Sequence, residues 1–362
     1  MPLPVVDPSR YAEQLDAKRD AFREAFAALT QIDPEIFASA PTHYRMRAEF
    51  RIWHDGPNLD YVMFDPAVPD LPIVVREFPI ASRRINELMP ALRDELMKSP
   101  ALAQRLFQVE FLTTLSGAAL VTLIYHRALD SDWQLAAAPL CNKLGVQLIG
   151  RSRKQKIVLG NDFVDEVLNV GERRLSYRQI EGSFTQPNGG INQHMLEWSC
   201  RQLRDAGGDL LELYCGNGNF TIALAPLFGR VLATEIAKSS VRAAEHNLVT
   251  NGIDNVNLVR MSSDEISTAL SGGRAFNRLR HVALDEYRFS TLLVDPPRSG
   301  LDATTLKLAA RFDQVLYVSC NPLTLRENLI ALSGTHEISA LALFDQFPYT
   351  HHLECGMLLR KR

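Results

Sequence analysis

Residues 211–220 read Leu-Glu-Leu-Tyr-Cys-Gly-Asn-Gly-Asn-Phe, the pattern of a buried strand that runs into a glycine turn and then a helix. Glycines let the backbone approach a ligand closely, and the helix that follows presents free N–H groups at its first turn. A G-x-G segment is a weak indicator by itself, because many α/β proteins use glycine only to turn. Thr221 stands where a dinucleotide-binding loop would have its third glycine, so an adenosyl ligand without pyrophosphate fits better.

The chain around this loop alternates strand and helix patterns from about residue 185, which is typical of a doubly wound parallel sheet. Glu235 ends the second predicted strand, where an acidic side chain can accept both hydroxyls of a ribose. The predicted strands are 209–214, 231–235, 256–261, 291–295, 315–319, 339–345 and 354–359.

The last two predicted strands are joined by residues 346–352, too few for a helical crossover, so they are expected to pair antiparallel. Seven strands that end in an antiparallel pair are the architecture of class I S-adenosylmethionine-dependent methyltransferases rather than of dinucleotide dehydrogenases. We therefore expect a Rossmann-like α/β catalytic domain over residues 185–362.

Residues 1–184 show the pattern of a separate α+β domain with antiparallel strands. Predicted helices cover 7–30, 82–98 and 135–144, and predicted strands cover 107–115, 118–125, 146–150 and 157–160. Residues 43–54 have apolar side chains at every second position, so one face of this strand belongs to a core. The opposite face presents Arg45, Arg47, Arg51 and Trp53.

The composition is that of an ordinary globular enzyme, with 46% hydrophobic and 22% charged residues. A net charge of -3 argues against a protein that grips nucleic acid over its whole surface, so any RNA-binding surface must be a local basic face. No apolar run approaches the ~20 residues of a membrane span, and the first residues lack signal-peptide features, so we expect a cytoplasmic chain. The five cysteines form no Cys-x-x-Cys pair, so neither a metal site nor an iron–sulfur cluster is expected.

Cys320 ends the fifth predicted strand and precedes Asn321, a helix-capping residue, and Pro322, which suits the first helical position. The partial positive charge of a helix N-terminus favours a thiolate. A cysteine is more often a small buried hydrophobe, but its place at the open edge of the sheet favours reactivity. We therefore predict that Cys320 is a nucleophile.

Glu354 opens the last predicted strand. Because that strand runs antiparallel, its first residue lies at the same edge as the carboxyl ends of the parallel strands, so Glu354 and Cys320 can face each other. Alternation sends Cys355 to the other side of the sheet. An apolar setting raises the pKa of a carboxyl group, which favours a catalytic base over an ordinary solvated glutamate.

Asp295-Pro-Pro-Arg298 ends the fourth predicted strand. A plain turn would use the same residues, but the prolines also stiffen a pocket floor. Asp295 can hold a sulfonium ligand or the polar edge of a substrate, and Arg298 a phosphate or a carbonyl. Amino-methyltransferases that act on bases carry a related motif with an aromatic residue in place of Arg298, so the motif argues against exocyclic amine chemistry.

These motifs together resemble the RNA uracil-5-methyltransferases, and among them the bacterial tRNA (uracil-5-)-methyltransferases. The similar segments are 43–54, 183–188, 214–220, 295–302 and 343–352. The resemblance implies Cys320 as the nucleophile and Glu354 as the base. It implies that S-adenosylmethionine is held by Gln186, Tyr214, Asn219, Glu235 and Asp295, and that Phe107 and the arginine face contact the T-arm of tRNA.

The reaction implied is methylation of carbon 5 of uridine 54 in the T-loop, which yields ribothymidine. The thiolate would add to carbon 6, carbon 5 would take the methyl group, and Glu354 would remove the carbon-5 proton. Relatives that act on ribosomal RNA commonly add a β-barrel module and a four-cysteine cluster, both lacking here, which favours tRNA. No obligate protein partner is indicated.

Three alternatives remain from the sequence. The same chemistry on ribosomal RNA is the nearest, and a DNA cytosine-5-methyltransferase is more distant because those enzymes usually place Pro-Cys after the fourth strand. The third is a tRNA-binding or tRNA-folding protein in which methylation is incidental.

Overall fold

The chain folds into two large sheets and a two-stranded hairpin, as a computed structural model shows for residues 5–56, 58–65 and 67–362. Over these residues the helices are α1 (Tyr11–Phe26), α2 (Arg83–Lys98), α3 (Pro100–Ala103), α4 (Ser131–Leu144), α5 (Gly189–Gln202), α6 (Asn219–Leu224), α7 (Lys238–Thr250), α8 (Ser263–Leu270), α9 (Ala303–Ala309) and α10 (Pro322–Leu332). The strands are β1 (Glu35–Phe37), β2 (Arg47–Asp55), β3 (Asn58–Asp65), β4 (Val68–Val74), β5 (Leu106–Thr113), β6 (Ala119–Tyr125), β7 (Gln147–Ser152), β8 (Gln155–Leu159), β9 (Phe163–Val170), β10 (Arg173–Ile180), β11 (Asp209–Leu213), β12 (Val231–Thr234), β13 (Val256–Val259), β14 (Phe289–Val294), β15 (Gln314–Ser319), β16 (His336–Phe344) and β17 (Glu354–Lys361).

The second sheet has the strand order β1-β16-β17-β15-β14-β11-β12-β13. All seven strands predicted for it are present, and the predicted antiparallel pairing of β16 with β17 is confirmed. Strands β11 to β15 pair parallel with their neighbours among themselves. The residues of β11, β12, β14 and β15 are mostly buried because helices cover both faces of the sheet, while the edge strand β13 is partly exposed.

The expected count of seven strands needs a correction, because over the described residues this sheet has eight. The additional strand is β1, which pairs parallel with β16 and places Ile36 opposite Leu343. Three residues are too few to show a period of two, so no pattern in the sequence predicted it.

Helix α1 also packs against the second sheet. Its Phe22 and Phe26 rings stack with centroids 4.0 Å apart and belong to the same apolar core as Leu325 and Leu341. Thus α1 and β1 precede residue 184 in the chain but complete the sheet that follows it. The domain boundary expected at residue 184 stays a prediction.

The first sheet has the order β4-β3-β2-β5-β6-β7-β8 and is antiparallel except between β6 and β7. One face packs against α2 and α4, whose Leu88, Leu92 and Trp133 share a core with Phe50. The predicted alternation along β2 is confirmed, since Ala48 and Phe50 are buried while the arginines lie on the other face.

The hairpin of β9 and β10 was not predicted. It lies beside α7 of the second sheet. The Asn247 side chain on α7 accepts a hydrogen bond from the Arg178 N–H, and the Asn251 side chain just after α7 accepts one from the Ser176 N–H. No helix within the described residues is long and apolar enough to cross a membrane.

Candidate active site

Cys320, Asp295 and Glu354 meet at the carboxyl edge of the parallel strands. Strand β14 ends one residue before Asp295, and β15 ends one residue before Cys320. Strand β17 runs the other way and begins at Glu354. Ser319 is paired with Cys355, so Cys320 and Glu354 are the next facing positions of the two strands. The structure therefore brings together the three residues that the sequence placed at this edge.

Burial dominates the electrostatics of the two carboxyl groups. Glu354 is only 3% exposed, and burial followed by the charge of Asp295 raises its pKa well above the usual value, while Arg298 opposes the shift. Burial likewise raises the pKa of the half-buried Asp295 to about 7. Two neighbouring carboxyl groups in a buried site titrate together, and their mutual repulsion when ionised favours a proton on one of them.

The surroundings of the Cys320 thiol also disfavour its ionised form. Burial, and then the Glu354 and Asp295 carboxyl groups, raise its pKa to about 11, with Arg298 acting in the opposite direction. The sequence led us to expect a thiolate stabilised by the N-terminus of α10. The surroundings favour the thiol instead, because burial and the two carboxyl groups raise the pKa of Cys320 by more than the helix N-terminus lowers it.

The loop after β14 is fastened to the helix after Cys320. The Asn321 side chain caps α10 by accepting a hydrogen bond from the Leu323 N–H at 3.1 Å. Its Nδ2 donates to the carbonyl of Arg298 at 2.8 Å, and the Thr324 hydroxyl donates to the same carbonyl. These bonds hold the backbone at Arg298 beside the thiol, while its side chain is exposed.

A cavity of about 50 Å³ opens beside this edge. Four of the five predicted cofactor residues line it, namely Gln186, Tyr214, Asn219 and Asp295. Its amide, hydroxyl and carboxyl groups and the Gly216 backbone suit the polar atoms of S-adenosylmethionine. The volume is far below the ~300–1,000 Å³ of typical ligand pockets, so the cavity must widen to admit that ligand.

The fifth predicted cofactor residue, Glu235, lies next to the cavity rather than in its lining. Its carboxylate accepts hydrogen bonds from the N–H groups of Gly216 at 3.0 Å, Ile236 at 2.8 Å and Ala237 at 2.7 Å. A carboxylate has about four acceptor positions, so these bonds orient Glu235 and leave it little further capacity. Ribose binding by Glu235 therefore stays a prediction.

The glycine turn has the backbone geometry that a close approach requires. Gly216 and Gly218 have φ angles of 58° and 83°, which glycine adopts without a steric penalty. Tyr214 also has a positive φ, of 61°, and its hydroxyl donates to the Ser263 hydroxyl at 2.7 Å. A bulky residue in this conformation is strained, which is common at functional sites.

The arginine face of β2 divides into two parts. Arg45 donates to the carbonyl of Arg47, and Arg47 donates to the carbonyl of Ser183, so both are partly used in holding the backbone. Arg51 and Trp53 are exposed.

The exposed part of this face carries an aromatic stack. The Arg51 guanidinium lies 3.9 Å from the centre of the Phe107 ring, which stacks on His126 with centroids 3.9 Å apart. His126 follows the end of β6 and was not among the predicted residues, because nothing in its sequence neighbourhood distinguishes it from an ordinary surface histidine.

Comparison with known proteins gives the family. The sequence profile described as tRNA (Uracil-5-)-methyltransferase matches residues 10–362. A relative from Aromatoleum aromaticum, named tRNA/tmRNA (uracil-C(5))-methyltransferase, is 61% identical over 100% of this chain and 98% of its own length. A relative of the same name from Pseudomonas aeruginosa PAO1 is 53% identical over the full length of both chains.

This chain belongs to the tRNA (uracil-5-)-methyltransferase family. It is therefore an enzyme of the methyltransferase class. Among solved structures, the tRNA (uracil-54, C5)-methyltransferase of Pyrococcus abyssi in complex with S-adenosyl-L-homocysteine matches with a TM-score of 0.73, at 18% identity over 99% of this chain and 86% of that one. This match confirms the predicted class I methyltransferase fold.

Two features of this tRNA (uracil-5-)-methyltransferase family member were missed by sequence reasoning. The hairpin of β9 and β10 forms a wall of the cofactor cavity through Leu168, Tyr177 and Gln179. Glu212 is buried inside β11 with neither carboxyl oxygen hydrogen-bonded, and burial raises its pKa to about 8. An acid within an otherwise apolar strand was the signal that could have found Glu212.

Proposed function

We propose that this enzyme methylates carbon 5 of uridine 54 in the T-loop of tRNA, with S-adenosylmethionine as methyl donor, to give ribothymidine. The single observation that carries the proposal is the facing pair of Cys320 and Glu354 at the sheet edge, beside a cavity lined by Asp295. A nucleophile on one side and a proton acceptor on the other are what substitution at a pyrimidine carbon 5 requires.

The Cys320 thiol first loses its proton to solvent, and the thiolate sulfur then forms a bond to carbon 6 of uracil while the C5=C6 electron pair moves toward carbon 5 and the carbon-4 carbonyl. S-adenosylmethionine, when bound, offers its methyl group on a sulfonium, which leaves as a neutral thioether and needs no metal. Glu354 then takes the carbon-5 proton while the carbon–sulfur bond breaks and its electron pair returns to Cys320. The same burial that raises the pKa of Glu354 makes the ionised carboxylate a strong proton acceptor.

Proposed roles also follow for the residues around this pair. Gln186, Tyr214, Asn219, Glu235 and Asp295 would hold S-adenosylmethionine, and their amide and carboxyl groups suit its amino acid and ribose. Arg298 lies exposed at the mouth of the site, where its cation suits a phosphate or the uracil carbonyl. Arg45 and Arg47 would contact RNA, and Arg47 would also hold the segment before Gln186 through its bond to the Ser183 carbonyl.

A base must leave its stack to reach Cys320, at a cost of a few kcal/mol that is smaller in a loop than in a duplex. The stack of Arg51, Phe107 and His126, with Trp53 nearby on β2, offers the aromatic and cationic surface that unstacked RNA bases bind. The relatives' names specify tRNA and tmRNA, and that of the Pyrococcus abyssi enzyme specifies uracil 54, which supports a T-loop. A tRNA substrate places the proposed activity in the cytoplasm.

The test is to incubate the enzyme with methyl-labelled S-adenosylmethionine and, separately, unmodified tRNA, tmRNA and ribosomal RNA transcripts, and to map the labelled nucleosides. We expect label in 5-methyluridine of the tRNA T-loop, and none with a tRNA in which uridine 54 is replaced by cytidine. Label only in ribosomal RNA would keep the chemistry and overturn the substrate. Absence of label from every RNA would favour a binding or folding role.

A further inference from the structure

A buried lysine from the first helix contacts the loop that leads to the proposed base. Lys18 on α1 places its Nζ 2.6 Å from an Asp345 carboxylate oxygen, 2.9 Å from the carbonyl of Phe347 and 3.0 Å from that of His352. The Lys18 and Asp345 side chains are only 9% and 1% exposed. An ammonium group has three N–H donors, so these three acceptors satisfy it completely.

The three acceptors lie at both ends of residues 345–353, which we call the base loop. Asp345 directly follows β16, and His352 lies two residues before Glu354 at the start of β17. Phe344 is paired with Glu354, so the two ends of the base loop also meet in the sheet. One ammonium group thus joins the exit of β16 to the backbone just before the proposed base.

Contacts from outside the base loop fix its middle, and inside the loop the His352 N–H donates to the Thr350 hydroxyl at 3.2 Å. The Tyr44 hydroxyl donates to the carbonyl of Pro348, and the Tyr349 hydroxyl donates to that of Pro41. Tyr349 has a φ of 61°, which a tyrosine adopts only where its surroundings enforce it. Of the hydrogen bonds that join the base loop to the rest of the protein, the bond from Lys18 to the His352 carbonyl lies nearest to Glu354 along the chain.

We propose that Lys18 is a positioning residue that holds Glu354 in place for removal of the carbon-5 proton. This inference rests on the proposed function, since it assumes that Glu354 is the base. Lys18 has no role in the earlier bond formation at Cys320, because Cys320 lies between β15 and α10 and that segment is held by other contacts. Loss of Lys18 therefore slows one step, the breakdown of the covalent adduct, more than its formation.

In that step the Glu354 carboxylate accepts the proton from carbon 5, the C5–H electron pair forms the C5=C6 double bond, and the C6–S pair returns to the Cys320 sulfur. Displacement of a reacting group by about 1 Å can cost on the order of 100-fold in rate. If Glu354 is displaced, the methylated RNA–protein adduct therefore persists.

The experiment compares native enzyme, Lys18→Met, Lys18→Arg and, as a matched control, Arg19→Met on the exposed side of the same helix. Arg19 forms ion pairs with Asp16 and Asp20, both of which are largely exposed. Each protein is given a T-arm RNA that contains either uridine or 5-fluorouridine at the target. A 5-fluorinated adduct has no carbon-5 proton, so its formation reports addition and methyl transfer without any help from the base.

We expect Lys18→Met to lower kcat at least about 10-fold, with KM for both substrates within about twofold, and to accumulate the uridine adduct on denaturing gels. Its rate of adduct formation with 5-fluorouridine RNA should match that of the native enzyme. Lys18→Arg should recover part of kcat, and Arg19→Met should behave as native. Normal turnover by Lys18→Met, or an equal loss with both RNAs, would overturn the positioning role.

Two further arms keep the test decisive. Lys18→Met leaves the Asp345 carboxylate buried without its cation, which could prevent folding. If the Lys18→Met variant fails to fold, the double variant Lys18→Met with Asp345→Asn removes the buried charge and still lacks the donor to His352. The double variant should show the same persistent adduct, and absence of that adduct would overturn the proposal. Failure of the native enzyme to form any adduct with 5-fluorouridine RNA would instead overturn the proposed function itself.

Discussion

At the scale of single residues, burial disfavours the ionised forms of the groups that meet at the site. The Cys320 thiol and the carboxyl groups of Glu354 and Asp295 all have raised pKa values, chiefly because burial removes water from them. Arg298 is the neighbouring cation that opposes these shifts for Cys320 and Glu354. In the proposed mechanism the Cys320 thiol must lose its proton, so we expect RNA binding to favour its ionisation.

The first prediction concerns the facing pair. Cys320→Ala should lower product formation at least about 1,000-fold and leave RNA affinity within about twofold, because the thiol forms the covalent bond but provides little binding surface. Nucleoside mapping and filter binding measure the two quantities. Cys141→Ala on α4 is the matched thiol control and should retain activity.

Glu354→Gln should fold normally, since burial already disfavours the ionised form of the native side chain and an amide carries no charge. It should nevertheless accumulate the methylated adduct, because an amide cannot accept the carbon-5 proton. Denaturing gels with labelled RNA detect the adduct. Normal turnover by the alanine variant, or a glutamine variant without adduct, would contradict the assigned roles.

The second prediction concerns the pH dependence of stability at Asp295. Its pKa is about 7 in the folded protein against 3.8 for an unperturbed aspartate, so the folded state binds the proton more tightly. The stability linked to this group is fully present below about pH 4 and is lost as the pH rises through 7. Asp295→Asn should therefore gain stability relative to the native enzyme between pH 5.5 and 8.5, by on the order of 2–4 kcal/mol.

Urea unfolding at the two pH values measures this difference. Asp285→Asn replaces an exposed carboxylate and should leave the native pH dependence unchanged. A constant difference between Asp295→Asn and native enzyme across the pH range would show that the Asp295 carboxyl is ionised normally.

At the scale of elements, α1 behaves as part of the catalytic half. It contributes Phe22 and Phe26 to the core under β15 and β16, and Lys18 to the base loop. Strand β1 follows it and extends the sheet beside β16. Residues 11–37 thus belong to the catalytic half of the structure, although the first sheet separates them from it in the sequence.

Phe26→Ala should cost about 3–5 kcal/mol in the free energy of unfolding, because the ring is 1% exposed and stacked on Phe22. Arg23→Ala on the exposed side of α1 should cost less than about 1 kcal/mol. Denaturant unfolding of both variants measures the difference. Similar costs for the two would mean that α1 does not pack on the core.

At the scale of the whole molecule, the two sheets divide the proposed work. The first sheet presents the stack of Arg51, Phe107 and His126, in a chain whose net charge is -3. The second sheet carries the residues proposed for methyl transfer. Arg47 on β2 donates to the carbonyl of Ser183, three residues before the proposed cofactor residue Gln186. This bond joins the first sheet to the segment that leads to Gln186.

Phe107→Leu should weaken binding of T-arm RNA roughly 10-fold, because Phe107 holds the Arg51 guanidinium and the His126 ring in the stack, and stacking of one base on such a surface contributes about 1–3 kcal/mol. Binding of S-adenosylmethionine should be unchanged, and the salt dependence of RNA binding should persist because no charge is lost. Phe276→Leu is the matched control, since Phe276 packs near Arg274 in a similar pair away from this face. Equal affinity of Phe107→Leu and native enzyme would remove Phe107 from the RNA surface.

The sequence by itself determined the seven main strands of the catalytic sheet and the positions of Cys320, Asp295 and Glu354 at its edge. These follow from local patterns, because strand periodicity, glycine turns and helix caps depend on residues close together in the chain. The sequence also predicted the arginine face, since alternation along β2 is local.

Only the tertiary structure decided how these groups are held and charged. The contact of Lys18 with His352 spans 334 residues, His126 reaches Phe107 through strand pairing, and β1 has too few residues to show a period. The raised pKa of Cys320 likewise reverses what the start of α10 alone would give, because desolvation and the charges of Asp295 and Glu354 come from other strands. Burial and electrostatics sum over everything near in space, and nearness in space is a property of the folded chain.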